Sequence, residues 1–378
     1  MRRNSANVAV VGGGIVGLAH ALAAAKRGLK VVLFERSEIA VGASVRNFGL
    51  LWPVGQPEGP RHERALLSRK IWDEVAADSG IYIDKTGCLH LAYREDEWTV
   101  LQEFAASPLG SSSGRKLLTR QETLALSPAV NPRSLLGAYF SPTEATVDPR
   151  EAIRALPGWL EKKYGVTLRF GATVQRVDYP VVETLQETWK VDYAIICSGQ
   201  DFECLFPDVF VTSGLTRCKL QMLRTLAQPA NWRLGPALCA GLTLLHYDNF
   251  KSCCSLDALK ERVQREMPFY VEHGIHVLLS QTGRGELTIG DSHRYGLTVD
   301  PFDQENIDAA IVEYLKSFAL APSLSIAERW HGVYPKLAGQ SEFIAVPAPG
   351  VRIVNGLGGA GMTLSFGLAE EVIEKLLI

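Results

Sequence analysis

Near the N-terminus the apolar run Val8-Ala9-Val10-Val11 passes directly into Gly12-Gly13-Gly14-Ile15-Val16-Gly17, and no other stretch limits the possible folds as tightly. Residues 18–27 have the Ala-rich composition of a helix, Gly28 stops it, and a second apolar run, Val31-Val32-Leu33-Phe34, ends on Glu35. Strand, glycine turn, helix, strand and acid in that order predict a dinucleotide-binding βαβ unit. The first glycine permits the tight turn, the second lets a pyrophosphate approach the backbone, and the third lets helix and strand pack closely. The helix N-terminus adds free N–H groups and the positive end of its dipole, so Gly12, Gly14, Ile15, Val16 and Gly17 are the expected phosphate-end residues. Glu35, 18 residues beyond Gly17, is placed to accept from ribose hydroxyls. Its carboxylate repels a 2′-phosphate, which disfavours NADP and leaves FAD or NAD.

The uncharged stretch 8–25 follows Arg2 and Arg3 and has the hydropathy of a signal peptide or a span. Its clustered glycines and the lack of a small-residue cleavage site favour the nucleotide unit, and no membrane span is expected. In 378 residues, 39 basic side chains stand against 41 acidic ones, with no run of five like charges, so nucleic acid is not an expected partner. Seven cysteines without a C-x-x-C pair suggest neither a disulfide framework nor a metal site, and a reducing, cytoplasmic setting fits best.

The chain is long enough for two domains. Strand patterns at 166–170, 173–177 and 191–197 and a glycine turn before the helix at 362–377 return to the style of the N-terminal unit. Between them, 215–226, 240–247, 275–279 and 287–290 read as strands and 304–318 as a helix. The expected fold is α/β (α+β overall), a Rossmann-type nucleotide-binding domain interleaved with a β-rich substrate domain. Residues 1–80, 146–210 and 330–378 are assigned to the first, and 81–145 and 211–329 to the second.

Taken in order, the 12–17 turn with Glu35-Arg36, the 42–49 segment, Ser141-Pro142-Thr143-Glu144-Ala145-Thr146-Val147-Asp148-Pro149, the 192–199 strand and the 356–361 turn resemble the FAD-dependent amine and D-amino-acid oxidases that include glycine and sarcosine oxidase. Residues 41–49 and 216–222 look more narrowly like a subgroup associated with phosphonate catabolism. The resemblance implies FAD, with Arg36 against the adenine, the backbone of Val174 at its edge, and Ser198 and Gly199 close by. Ser44, Arg46, Asn47 and Phe48 would line the isoalloxazine. Gly358, Gly359, Ala360, Gly361, Met362 and Thr363 would present N–H groups to the pyrimidine end of the flavin, where negative charge develops on reduction. Sarcosine oxidases tether flavin through a cysteine in the segment matching 328–335; this chain has none there, so non-covalent FAD is expected.

A second departure concerns substrate. The substrate-binding arginine of glycine oxidase lies in a Trp-x-Gly-Leu-Arg-Pro segment, and here Trp330-His331-Gly332-Val333-Tyr334-Pro335 carries Tyr334 in its place. An acid group would need a different grip. Arg46 is the leading candidate; His331 is either a buried core histidine or a contact, and Tyr334 either packs or hydrogen-bonds substrate. Lys219 and Gln221 alternate on one strand and face together either the pocket or solvent. The resemblance implies oxidation of a small primary or secondary amine bearing an acidic group, with 2-aminoethylphosphonate or its N-methyl derivative as the narrower candidate. Hydride transfer gives an imine that hydrolyses, and dioxygen takes the electrons as hydrogen peroxide. The alternatives are a glycine, sarcosine or D-amino-acid oxidase, a dehydrogenase using another acceptor, or a non-catalytic flavin-binding subunit. The oligomeric state is left open.

Overall fold

The computed structural model describes residues 2–112 and 114–377. Five strands of an eight-stranded sheet run parallel in the spatial order Val351–Asn355, Glu187–Ile196, Arg2–Val11, Val31–Glu35, Thr167–Phe170. The hairpin Val174–Asp178/Val181–Thr184 runs antiparallel along the first half of Glu187–Ile196, on the same side as Val351–Asn355, to which Phe343–Ala345 adds antiparallel. A sheet covered on both faces needs apolar side chains in both directions, and the strands supply them. Val8, Val10, Leu33, Ile195 and Val354 pack beneath the helices Ile15–Lys26, Pro60–Ser79 and Gly361–Leu377, while Ala9, Val32, Phe34, Ile196 and Ile353 pack on the other face with Val174, Trp189, Phe202 and Phe210.

The register brings four carboxyl ends to one edge: Val11 stands opposite Phe34 and Ile196, and Ile196 opposite Ile353. In open α/β sheets that edge is where ligands bind.

The second sheet has nine strands, and its longest pair, Leu215–Thr225 and Ile326–Leu337, is antiparallel from Leu215 opposite Leu337 to Thr225 opposite Ile326. The helix Glu305–Phe318 buries Ile307, Ile311, Leu315 and Phe318 against Leu223, Leu279, Leu287 and Ile289. A small sheet of Leu50–Leu51, Ala145–Val147 and Ile83–Asp84 ties the glycine-rich 42–60 segment to the body.

Two expectations change. Residues 240–247 do not form a strand; the strand is Ala237–Cys239, and a 3-10 turn, Gly241–Leu245, follows because Gly241 lies tight against the Glu97 carboxylate. Residue 330 lies inside the continuous strand Ile326–Leu337, which carries the chain from the second sheet to the glycine turn at 356–361 through a bridge between Lys336 and Leu357.

Candidate functional site

One long cleft opens at the four carboxyl ends and is closed on its far side by Leu220, Met222 and Tyr334 of the second sheet. Its construction begins at the glycine turn. Gly12 has φ of +113°, and a Cβ there would overlap the carbonyl oxygen of Cys197; a Cβ on Gly17 would overlap Gly12 O. Gly17 does not line the cleft, which leaves it the packing task alone. Glu35 accepts the Gly13 N–H on Oε2 (2.8 Å) and the Ser37 N–H on Oε1 (3.0 Å), so its carboxylate is fixed with lone pairs remaining for ribose hydroxyls.

The helix Ile15–Lys26 has no acidic residue in its first turn and no side-chain cap from Gly14. Its first N–H, Ile15, is met instead by Ser44 Oγ at 2.9 Å, which leaves the serine proton to donate into the cleft. Free helix N–H groups, a hydroxyl donor and a fixed acid form a donor set suited to a dinucleotide diphosphate and ribose.

The 42–49 segment crosses the cleft next. Asn47 lines it, yet its side chain is engaged within the loop, donating to Ala43 O and Ser44 O and accepting the Gly49 N–H. Arg46 is clamped at both ends by the long strand: its guanidinium donates to His331 O (3.2 Å), and Trp330 Nε1 donates to Arg46 O (3.3 Å). Phe48 packs against Met222 and Leu220.

At the ribose end, Val174, Ser198 and Gly199 line the cleft, and Asn355 ties Gly199 O to the neighbouring strand end (2.9 Å). Arg36 also lines it, but its guanidinium pairs with Asp201 (2.8 Å). The opposite end is the turn Gly358–Ala360 opening the helix Gly361–Leu377, again without an acid in its first turn. Thr363 Oγ1 accepts the Trp52 N–H and Met362 O accepts Trp72 Nε1, each at 2.9 Å, so these two residues brace the turn while its main chain faces the cleft.

Three of the expected substrate residues lie elsewhere. Lys219 and Gln221 do share a face, but it is the face away from the cleft; Leu220 and Met222 hold the other. Lys219 pairs with Asp303 (2.7 Å) and donates to Asp300 O, and Gln221 donates to Asp308 (2.7 Å) and Gln304 O. His331, opposite Gln221, turns the same way and meets Asp303 at 3.1 Å. These side chains pin the 300–308 segment. Tyr334 does line the cleft, and burial raises its phenol pKa far above the usual value.

Sequence reasoning missed Lys336, which lies over the 358–360 turn: a Cβ on Gly358 would come within 2.9 Å of its Cδ and 3.4 Å of its Nζ. Its ammonium lines the cleft without a hydrogen bond or ion pair to the described residues, and burial lowers its pKa. Two-residue alternation from Tyr334 was the signal that could have found it. Also missed were His246, His276 and Asp291, which line the same cleft beside His293. Burial and the neighbouring imidazoles hold His276 well below the usual histidine range, and burial pushes the Asp291 carboxyl up to about 6.

The family model described as FAD dependent oxidoreductase matches residues 7–249 and 250–375. The chain belongs to that family. FAD is its cofactor, and the donor set of the cleft fits it. One of the subunits of opine oxidase from Rhizobium meliloti is 24% identical over 345 residues, covering 88% of this chain and 82% of that protein. One of the subunits of anaerobic glycerol-3-phosphate dehydrogenase from Escherichia coli K12 is 32% identical over 150 residues, 38% of this chain, which spans only 26% of that relative. Among solved structures, glycine oxidase from Bacillus cereus ATCC 14579 superposes with a TM-score of 0.78 at 19% identity, over 98% of this chain and 95% of that one. This last likeness is one of fold. No described helix is long and apolar enough to cross a membrane.

Proposed function

We propose that this oxidoreductase oxidises a small primary or secondary amine bearing an acidic group, with non-covalently held FAD and dioxygen as the final acceptor. The candidate substrate is 2-aminoethylphosphonate or its N-methyl derivative, giving phosphonoacetaldehyde, the released amine and hydrogen peroxide. One observation carries the reading: with tyrosine at 334, and with Arg36 and Arg61 paired to Asp201 and Asp248, two cations of the cleft have no carboxylate partner among the described residues, Arg46 with one guanidinium donor engaged and Lys336 with none. They are an available grip for an anion. The names of an opine oxidase and a glycine oxidase among the similar proteins point to the same bond, a carbon–hydrogen next to nitrogen.

Bound FAD supplies the two-electron acceptor. The chain's own part is orientation: Arg46 and Lys336 hold the acid, Leu220, Met222 and Phe48 exclude water from the reacting carbon, and the amine is bound in its neutral form. Holding reactants in line is itself worth several kcal/mol of barrier, so no acid–base triad is required. With FAD bound, the helix start at Gly361 and the Lys336 ammonium would offset the negative charge of the reduced group.

The test is anaerobic bleaching of the protein's flavin by glycine, sarcosine, D-alanine, 2-aminoethylphosphonate and N-methyl-2-aminoethylphosphonate, followed by peroxide measurement in air. Fast bleaching by the phosphonates with peroxide release is expected. Bleaching by glycine alone would overturn the phosphonate assignment, bleaching without peroxide the oxidase assignment, and flavin that no amine bleaches the amine assignment.

A further inference from the structure

The cleft wall formed by the second sheet holds a group that amine oxidation does not require. His276 precedes the strand Leu278–Gln281, Asp291 and His293 follow Leu287–Gly290, and His246 follows the 3-10 turn Gly241–Leu245. Reciprocal main-chain hydrogen bonds between His276 and Asp291 (3.2 and 2.8 Å) fix the first two side by side. The imidazoles of His246 and His276 stack at 3.7 Å, His246 and His293 are 4.7 Å apart, and one ring nitrogen from each of the three lies within 4.8 Å of the others.

Their hydrogen bonds leave nitrogen lone pairs available. His293 Nδ1 donates to Gly274 O (3.0 Å), which places the proton there and leaves Nε2 a lone pair. Among the described residues, buried His276 Nδ1 has no hydrogen-bond partner, and neither has Asp291 Oδ1, although that carboxylate stands 3.4 Å from His276 Nε2 and 3.9 Å from His293 Nε2.

We propose that His246, His276 and His293 form a site for a divalent transition metal of the zinc class, with Asp291 as the adjacent carboxylate. Imidazole with a carboxylate and no thiolate is a donor set for zinc, nickel or copper rather than for magnesium or calcium. Metal–nitrogen bonds of about 2.0–2.1 Å in a tetrahedral site bring ligand nitrogens to roughly 3.4 Å. The ligand atoms now lie within 4.8 Å of one another, and closing on an ion requires a ring to leave the His246–His276 stack, a movement open to His246 because its side chain is exposed in the cleft. Three protein nitrogens leave a coordination position facing the cleft, the pattern of sites that bind a water or an anionic oxygen. The site goes beyond the amine-oxidase reading and does not depend on it.

The test uses the FAD-loaded protein after chelator treatment and dialysis, titrated with Zn²⁺ by calorimetry and checked by metal analysis after gel filtration. One equivalent of zinc per chain is expected. His246→Gln, on the cleft surface, and His276→Asn should each weaken binding by roughly 100-fold or more, and Asp291→Asn by about 10–100-fold as an orienting carboxylate. Flavin absorbance and melting temperature of each variant report that it is folded. Failure of the wild-type protein to take up one equivalent, or uptake unchanged in folded His246→Gln, overturns the site. Either result bears on the metal site alone, because the amine-oxidase reading is tested separately by bleaching of the wild-type flavin.

Discussion

Arg46→Ala separates a grip on the substrate's acid from a structural clamp. The guanidinium carries five N–H donors, and among the described residues it makes one hydrogen bond, to His331 O at 3.2 Å. Enough donors remain for a two-point contact with a phosphonate or carboxylate. A charge-assisted hydrogen bond contributes about 1.5–3 kcal/mol, which at about 1.4 kcal/mol per decade is roughly a 10- to 150-fold loss in affinity. The clamp is a separate term: Trp330 Nε1 still reaches the main-chain oxygen of residue 46 in the variant, so the loop keeps one anchor. The assay compares anaerobic flavin reduction by an acid-bearing amine with that by the same amine lacking the acid. The loss is expected only with the acid-bearing substrate, with flavin absorbance and melting temperature unchanged. Equal losses with both amines, or none with either, would refute the assignment. Arg46→Lys should recover part of the loss, because charge returns without the planar fork.

Lys336→Met should weaken the acid-bearing substrate and remove an alkaline limb from its pH profile. Burial lowers the Lys336 pKa, so in the wild-type protein the cation is lost as pH rises through a range below that of free lysine; a wild-type limb that survives in the variant contradicts this. Gly17→Ala places a methyl group inside contact distance of Gly12 O, a crowding worth about 1–3 kcal/mol, and fluorescence titration should show FAD affinity reduced by roughly 5- to 150-fold. His20, wholly buried on the phosphate-binding helix, has its pKa lowered to about 4 by desolvation. The unfolded chain takes up that proton near pH 6.5 and the folded one does not, so stability falls as pH drops from 6.5 towards 4, by about 3 kcal/mol in total. His20→Leu should flatten that part of the urea-denaturation profile, and an unchanged slope would mean that His20 titrates normally.

The nucleotide end was legible because its logic is largely local: Gly17 packs against Gly12 and Glu35 holds Gly13 and Ser37, all within or beside one βαβ unit, although the close neighbour of Gly12, Cys197, lies on a distant strand. The substrate end was not, because alternation says which side chains share a face and not which face meets the cleft. Lys219 and Gln221 were paired correctly, yet the cleft belongs to Leu220 and Met222, a fact set by the layer that covers the sheet. The same alternation on the partner strand turns His331 away and brings Tyr334 and Lys336 in. His246, His276 and His293 lie 30 and 17 residues apart in sequence and meet only through strand register and a 3-10 turn, which no local pattern encodes.

The strand Val351–Asn355 and the helix Gly361–Leu377 come last in the chain, yet they supply one of the four strand ends and the whole turn at the flavin end of the cleft. During synthesis the first glycine turn emerges more than 300 residues before its counterpart. A ribosome-bound chain therefore possesses half of a cofactor site and cannot close it until residues 351–377 have been made. A product cut short near residue 350 lacks the second jaw, so loss of flavin colour would distinguish such a copy from one that carries the final strand, turn and helix.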